Sequence, residues 1–391
     1  MRWQLQPFIA GRPGQLITGQ RATGQRATRL WRAVASAMAV ACCLGVIGGC
    51  GRGPAEPPSS AVGPAAKLSA YGLFVGNGAT QQPAAGVIRY TINTPLFSDY
   101  ATKYRFVKLP QGASATYDET EVFDFPVGTV IAKTFACPHD MTDPSKGRDL
   151  LETRILKHDP DGWVGLPYVW NKEQTEATLQ VAGGRVELNW IHSDGQPRHS
   201  LYLIPNKNQC KGCHKHREKT MLPIGPKARQ LNRDVVYEEG TENQLAHWTR
   251  IGALSGAPDP SKAPRLAVWD DPSTGSLDQR ARAYLEGNCA HCHNPHGPAR
   301  NTGLNLLTSA ERPYVYGIFK APVAAGLGSG GRLYDIVPGK PDESIMPFRM
   351  ASTHPGIVMP ELGKRLVHDE GVELIREWIS QMKTPESART N

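Results

Sequence analysis

The chain is 391 residues long and lacks the roughly 20-residue apolar run that a membrane-spanning helix needs. The run Ala33 to Gly49 stops short of it. The chain also lacks a Ser-His-Asp arrangement, a paired-carboxylate site and a phosphate loop, so hydrolase and nucleotide-binding readings have no support. The glycine-rich stretch Gly326-Leu327-Gly328-Ser329-Gly330-Gly331 has no strand–turn–helix context and reads as a plain loop. Acidic residues are missing from positions 1–49, which hold six arginines (Arg2, Arg12, Arg21, Arg26, Arg29, Arg32). These arginines carry most of the formal net charge of +8. Nucleic-acid binding therefore gains nothing from the basic balance.

A basic segment followed by a short apolar core is a secretory signal. It ends Val46-Ile47-Gly48-Gly49-Cys50, which is similar to a bacterial lipobox and would make Cys50 the lipidated first residue. The expected location is the periplasmic side of a bacterial membrane, held by a lipid anchor (the outer membrane) or released as a soluble protein. Residues 1–49 are then the leader. Residues 50–67, rich in Pro, Ala, Ser and Gly, are a flexible tether.

Only eight cysteines are present, and four of them fall in two short signatures. Cys210-Lys211-Gly212-Cys213-His214 and Cys289-Ala290-His291-Cys292-His293 both follow the Cys-x-x-Cys-His pattern of covalent haem attachment. Each thiol adds to one vinyl group of the porphyrin, and the adjoining imidazole faces the iron. Zinc binding fits poorly, because 75 residues separate Cys213 from Cys289, where ribbon spacings run roughly 15–20. A redox disulfide does not require the following His. Thiols of an exported protein oxidise unless occupied. The expectation is two covalent c-type haems, with Cys210, Cys213, Cys289 and Cys292 as attachment points and His214 and His293 as proximal iron ligands. Cys137 reads as a buried thiol.

Residues 68–204 show period-two alternation, as in Leu151, Thr153 and Ile155, without an amphipathic helix. Tyr104–Leu109 and Val127–Phe135 fit strands. Gly183-Gly184, between Leu179–Val181 and Val186–Trp190, reads as a hairpin turn. A sandwich-like β-module is expected here. Residues 205–275 carry the first motif, which follows a strand and a turn instead of an amphipathic helix. Residues 276–384 read differently. Ser276 caps a helix leading into Cys289, and Val372, Ile375, Trp378, Ile379 and Met382 form the apolar stripe of a closing helix. The expected fold is thus α+β and multidomain: an N-terminal β-rich module, then a mainly helical class I cytochrome c-like domain, then a tail over 385–391.

The iron of the second haem needs a distal ligand. Met359 lies 66 residues after His293, just before the closing helix, and is favoured over Met346. A thioether opposite imidazole raises the reduction potential relative to two imidazoles. For the first haem Met221, His192, His199, His216 and His247 all stand as candidates. His216 is too near His214 in sequence to reach the opposite face.

Several runs resemble a family of bacterial two-haem c-type cytochromes of unassigned physiological role. They are Pro95-Leu96-Phe97-Ser98-Asp99-Tyr100, Phe125-Pro126-Val127-Gly128-Thr129, Leu151-Glu152-Thr153-Arg154, Tyr168-Val169-Trp170-Asn171, Arg280–Leu285, Pro338-Gly339-Lys340-Pro341 and Met359-Pro360. Some members of that family are joined to, or encoded near, propeller domains similar to glucose/sorbosone dehydrogenases. The resemblance spans about 70 to 382 and implies the same haem attachments and proximal ligands, but no reaction. The expected role is an electron carrier, not an enzyme, passing electrons between a periplasmic dehydrogenase and the respiratory chain. The alternatives are a dihaem peroxidase-like enzyme with one open haem position, and a haem-containing binding or sensing module.

Overall fold

A six-stranded antiparallel meander occupies the centre of the N-terminal half. In a computed structural model, which describes residues 63–216, 220–324 and 326–384, its strands follow chain order: β1 (Val87–Tyr90), β2 (Thr102–Lys108), β3 (Val130–Pro138), β4 (Arg148–Asp159), β5 (Gly162–Trp170) and β6 (Ala177–Leu179). The leader, Cys50 and the tail lie outside the described residues. Alternation splits the side chains between two faces. Phe106, Ala132, Ile155 and Leu166 point to one face, where Leu68 and Leu73 cover them. Val107, Ile131 and Tyr90 point to the other, towards Trp248, Leu231 and Phe123.

The second face is shared. A two-stranded ribbon, β7 (Gly184–Ile191) and β8 (Pro197–Ile204), packs Val186, Leu188, Trp190 and Tyr202 against Phe135 and Val169. At its other end lie the short helices α2 (Ala228–Leu231) and α3 (Gln244–Arg250), which follow α1 (Cys210–His214). The second layer is therefore a ribbon and two helical turns, not a second full sheet. The expected hairpin at Gly183-Gly184 does not form: β6 pairs with β5, and β7 pairs with β8. Gly183 sits at φ +72°, and a Cβ there would collide with the backbone of Ile204 to Asn206. The glycine lets the chain turn closely past the end of β8 and leave the sheet.

The mainly helical cytochrome c-like domain expected over 276–384 is not what the chain forms. Its helices are α4 (Leu277–Leu285, nine residues), α5 (Ile345–Met350, six) and α6 (Asp369–Gln381, thirteen). Between them run turns, short 3-10 segments and extended chain, one of the 3-10 segments within the glycine-rich stretch (Gly326–Ser329). The cause is composition. From Pro295 to Pro360 prolines and glycines recur, and each proline removes a backbone donor that a helix interior requires. The two flanking helices do form as their signals dictate. Ser276 and Gln279 make a reciprocal capping box at α4, and α6 buries Val372, Leu374, Ile375, Trp378 and Ile379. They touch where Trp378 Nε1 donates to Asp278 Oδ1 at 2.8 Å.

Nor are the two halves separate bodies, since the described residues from Pro64 onward group into one compact unit. Overall the chain is β-rich with short helices. Among the described residues no helix is long and apolar enough to cross a membrane.

Phe106 is fully buried on β2, its ring 4.9 Å from that of Phe74 and nearly perpendicular to it. Phe106→Ala should cost about 3–5 kcal/mol of unfolding free energy. Val236→Ala, at an 80% exposed position, should stay within about 0.5 kcal/mol. Urea unfolding followed by tryptophan fluorescence compares the two.

Candidate functional site

The first motif begins where β8 ends. Asn206 and Gln209 exchange hydrogen bonds, each backbone N–H donating to the other's side-chain oxygen at 2.9 Å, and this tight turn starts the helical turn α1. Cys210 lies against β5 at Gly165, where an added Cβ would stand 2.9 Å from Cys210 Cβ and 3.1 Å from its Sγ. The missing side chain at Gly165 makes room for the cysteine. His214 Nδ1 lies 2.8 Å from the Leu222 carbonyl. A carbonyl only accepts, so the proton is on Nδ1 and Nε2 keeps its lone pair. Burial, then the charge of Lys133, pushes His214 down to about 4, so the imidazole is neutral near pH 7.

The second motif grows from α4 through a wider turn, Glu286–Ala290, with π-type hydrogen bonding. Such bulges re-aim side chains and recur at functional sites. Gly287 fits closely under Thr94, since a Cβ there would stand 2.8 Å from the Thr94 carbonyl oxygen. Asn288 Oδ1 accepts from the Phe97 N–H at 2.7 Å. Glu286 receives the Thr308 N–H and hydroxyl and pairs with buried Arg229 at 3.3 Å. His293 Nδ1 is 3.0 Å from Thr302 Oγ1, whose own proton goes to the Ala299 carbonyl. His293 Nδ1 must donate, and Nε2 is again left as the free lone pair. Burial, then the charge of His291, brings His293 down to about 4.

Although far apart in sequence, the two motifs touch. Cys292 Sγ lies 3.5 Å from the Gly212 carbonyl oxygen. The Cys292 thiol, then His291, holds Cys213 low, while Cys213 and burial drive Cys292 up.

A cavity of about 520 Å³ opens at this junction, within the size range of small-molecule and cofactor sites. Cys210, Cys213 and His214 line it on one side, and Ala290 and His291 on another. Thiols, a neutral imidazole with a free Nε2 and this volume together fit a covalently held haem at the first motif. Cys289 instead faces a small cavity of about 20 Å³, shared with Phe97, Tyr284, Met350, Met359 and His368. That space suits about one water. The donor set of thiol, thioether and imidazole is that of a haem site, but a space of this size does not hold the porphyrin.

Met359 thus sits beside Cys289, held by its N–H to the Arg349 carbonyl at 3.1 Å. Met350 lines the Cys289 cavity and Met346 does not, so the direct rival is Met350. Of the candidates for the first haem, His216 lines the large cavity, its ring 5.2 Å from that of His296. His247 is bound to Glu242 at 3.0 Å and stacked on Tyr237. His192 accepts from Trp190 Nε1, His199 lies on β8 opposite Asn189, and Met221 joins the core beside Gly165. Cys137 is buried and burial raises it to about 12, as an inert thiol requires.

Sequence reasoning missed His368 as a site residue. It stacks on Phe97 at 4.2 Å, and its Nδ1 is hydrogen-bonded with the Tyr284 hydroxyl at 2.9 Å. The run Pro95–Tyr100 was the available signal, because its Phe97 lies against both His368 and Asn288. Comparison with family models, curated proteins and solved structures finds no match to this chain.

Filling the Gly165 notch tests the seat of the first motif. Gly165→Ala should destabilise by about 1–3 kcal/mol through overpacking on Cys210. Gly225→Ala, at a position open to 4 Å, should stay within about 0.5 kcal/mol. Thermal unfolding of the two variants reads the difference.

Proposed function

We propose that this chain is an exported dihaem c-type cytochrome that passes electrons between a periplasmic dehydrogenase and the respiratory chain. It is lipid-anchored through Cys50. The observation that carries the reading is the meeting of two Cys-x-x-Cys-His segments, each with its histidine held as an Nε2 donor.

A bound haem supplies a one-electron ferric/ferrous couple, and the protein sets its potential and surroundings. Leu222 and Thr302 fix the two imidazoles in their ligating tautomer, the outer-layer support that metal-binding histidines use. The approach of the Cys292 thiol to the Gly212 carbonyl brings the two attachment segments together. Phe97, Tyr284 and His368 line the second site.

A second reading draws on the same contact. Without haem, Cys213 and Cys292 are coupled thiols that an exported dithiol oxidase, itself reduced by the two electrons, would join as a disulfide with loss of two protons.

Pyridine haemochrome titration with intact-mass measurement of the mature protein separates the two. Two covalent haems are expected, and Cys210→Ala/Cys213→Ala should remove one of them. A colourless protein two mass units lighter than its reduced form would support the thiol pair. The spectrum should be low-spin, with little reaction towards carbon monoxide. A high-spin haem that turns over peroxide would overturn the carrier role.

The distal ligand is tested separately. Met359→Ala should abolish the weak far-red band of Met-ligated ferric haem, and Met346→Ala should leave it. Loss of the band in Met350→Ala instead would move the ligand to Met350.

A further inference from the structure

On the cavity face of the sheet three cations stand side by side. Pairing register sets Arg105 opposite Lys133, and Lys133 opposite Arg154, across β2, β3 and β4. Lys103 stands two residues from Arg105 on the same face, and all four side chains line the cavity together with Cys210 and His214. Like charges directly opposite one another weaken a sheet, and burying them without partners is costlier still.

The protein's own counter-charge is small. Glu152 forms a two-point pair with Arg154 (2.9 and 2.5 Å) and accepts the Tyr202 hydroxyl at 2.7 Å, so it is fully engaged. Asp99 is occupied by the backbone N–H groups of Arg365 and Leu366. Arg105, although buried, has among the described residues one side-chain hydrogen bond, to the Lys103 carbonyl at 3.5 Å. Lys133 points its ammonium over the Phe135 ring at 5.2 Å, and Lys103 bonds to the Ala101 carbonyl. Among the described residues, Glu152 is the one carboxylate in a salt bridge to this row.

We propose that Arg105 and Lys133, with the Nη1 edge of Arg154 that its pairing to Glu152 does not use, bind the carboxylates of a molecule held in the large cavity. The two guanidinium-bearing strands are two sheet spacings apart, roughly 9–10 Å. That span suits two carboxylates on one molecule, with Lys133 between them, and arginine favours two-point carboxylate contacts. The carboxylates come either from the propionates of the haem on Cys210 and Cys213 or from a soluble dicarboxylate. The first source rests on the haem reading, whereas the second does not.

The experiment compares the mature protein with Arg105→Gln and Lys133→Gln. Melting midpoint and first-haem potential are measured with succinate and with chloride at equal ionic strength. If the propionates are held, both variants melt lower and their first-haem potential falls, while succinate changes nothing in the unsubstituted protein. If a free dicarboxylate is held, succinate raises the midpoint saturably, and each variant binds it at least about tenfold more weakly. Variants that melt at or above the unsubstituted protein, with no response to succinate, would overturn the proposal, since removing mere repulsion stabilises. Should the neutral variants fail to accumulate, Lys133→Arg must accumulate and melt normally, and its loss would also overturn the assignment. A haem count of zero with an intact succinate response would sink the cytochrome reading and leave this one standing.

Discussion

The packing of the second-motif turn against residues 94–100 holds this molecule together. Gly287 lies under the Thr94 carbonyl, Asn288 receives the Phe97 N–H, and Asp99 accepts two N–H groups from Arg365 and Leu366. Around them Phe97, His368 and Tyr284 stack. These contacts join a segment between the first two strands to chain nearly two hundred and more residues later. The pair of Arg229 with Glu286 adds a second tie between the sheet side and the C-terminal half. With them Cys213 meets Cys292, and a cavity closes over the cation row.

That seam explains why the segments between α4 and α6 need little regular structure. A free-standing cytochrome-like domain must build its own core from crossing helices. Here α4 and α6 supply part of the core, and much of the intervening chain is pinned by side chains: Arg282 on the carbonyls of Thr308 and Ala310, Arg349 on that of Ile357, Lys364 on that of Met350. Backbone groups that a helix would satisfy internally are met by such bonds instead. Prolines and glycines are tolerated in these stretches because no helical ladder runs through them.

Much of the local structure was legible beforehand. Alternation at Leu151, Thr153 and Ile155 marked β4, Ser276 marked the start of α4, and the stripe from Val372 to Ile379 marked α6. Each depends on neighbours in sequence, so local pattern suffices. The glycine pair at 183–184 misled because a turn signal does not say which strand the chain pairs with next. The class I domain misled for a related reason. Two flanking helices and a motif are shared by many arrangements, and the proline-rich interval between them decides which one forms. His368, hidden in a loop before α6, carried no pattern of its own.

The sequence by itself determined the chemistry available: two thiol pairs each followed by imidazole, a thioether at Met359, and strand and helix segments wherever periodicity or capping was strong. Only the tertiary structure decided that the two motifs touch, that Leu222 and Thr302 orient the imidazoles, and that Arg105, Lys133 and Arg154 share one row above a cavity. The physical reason is range. Propensity, capping and motif spacing act over a few residues along the chain. Register and burial depend instead on which distant segments share the same buried surface.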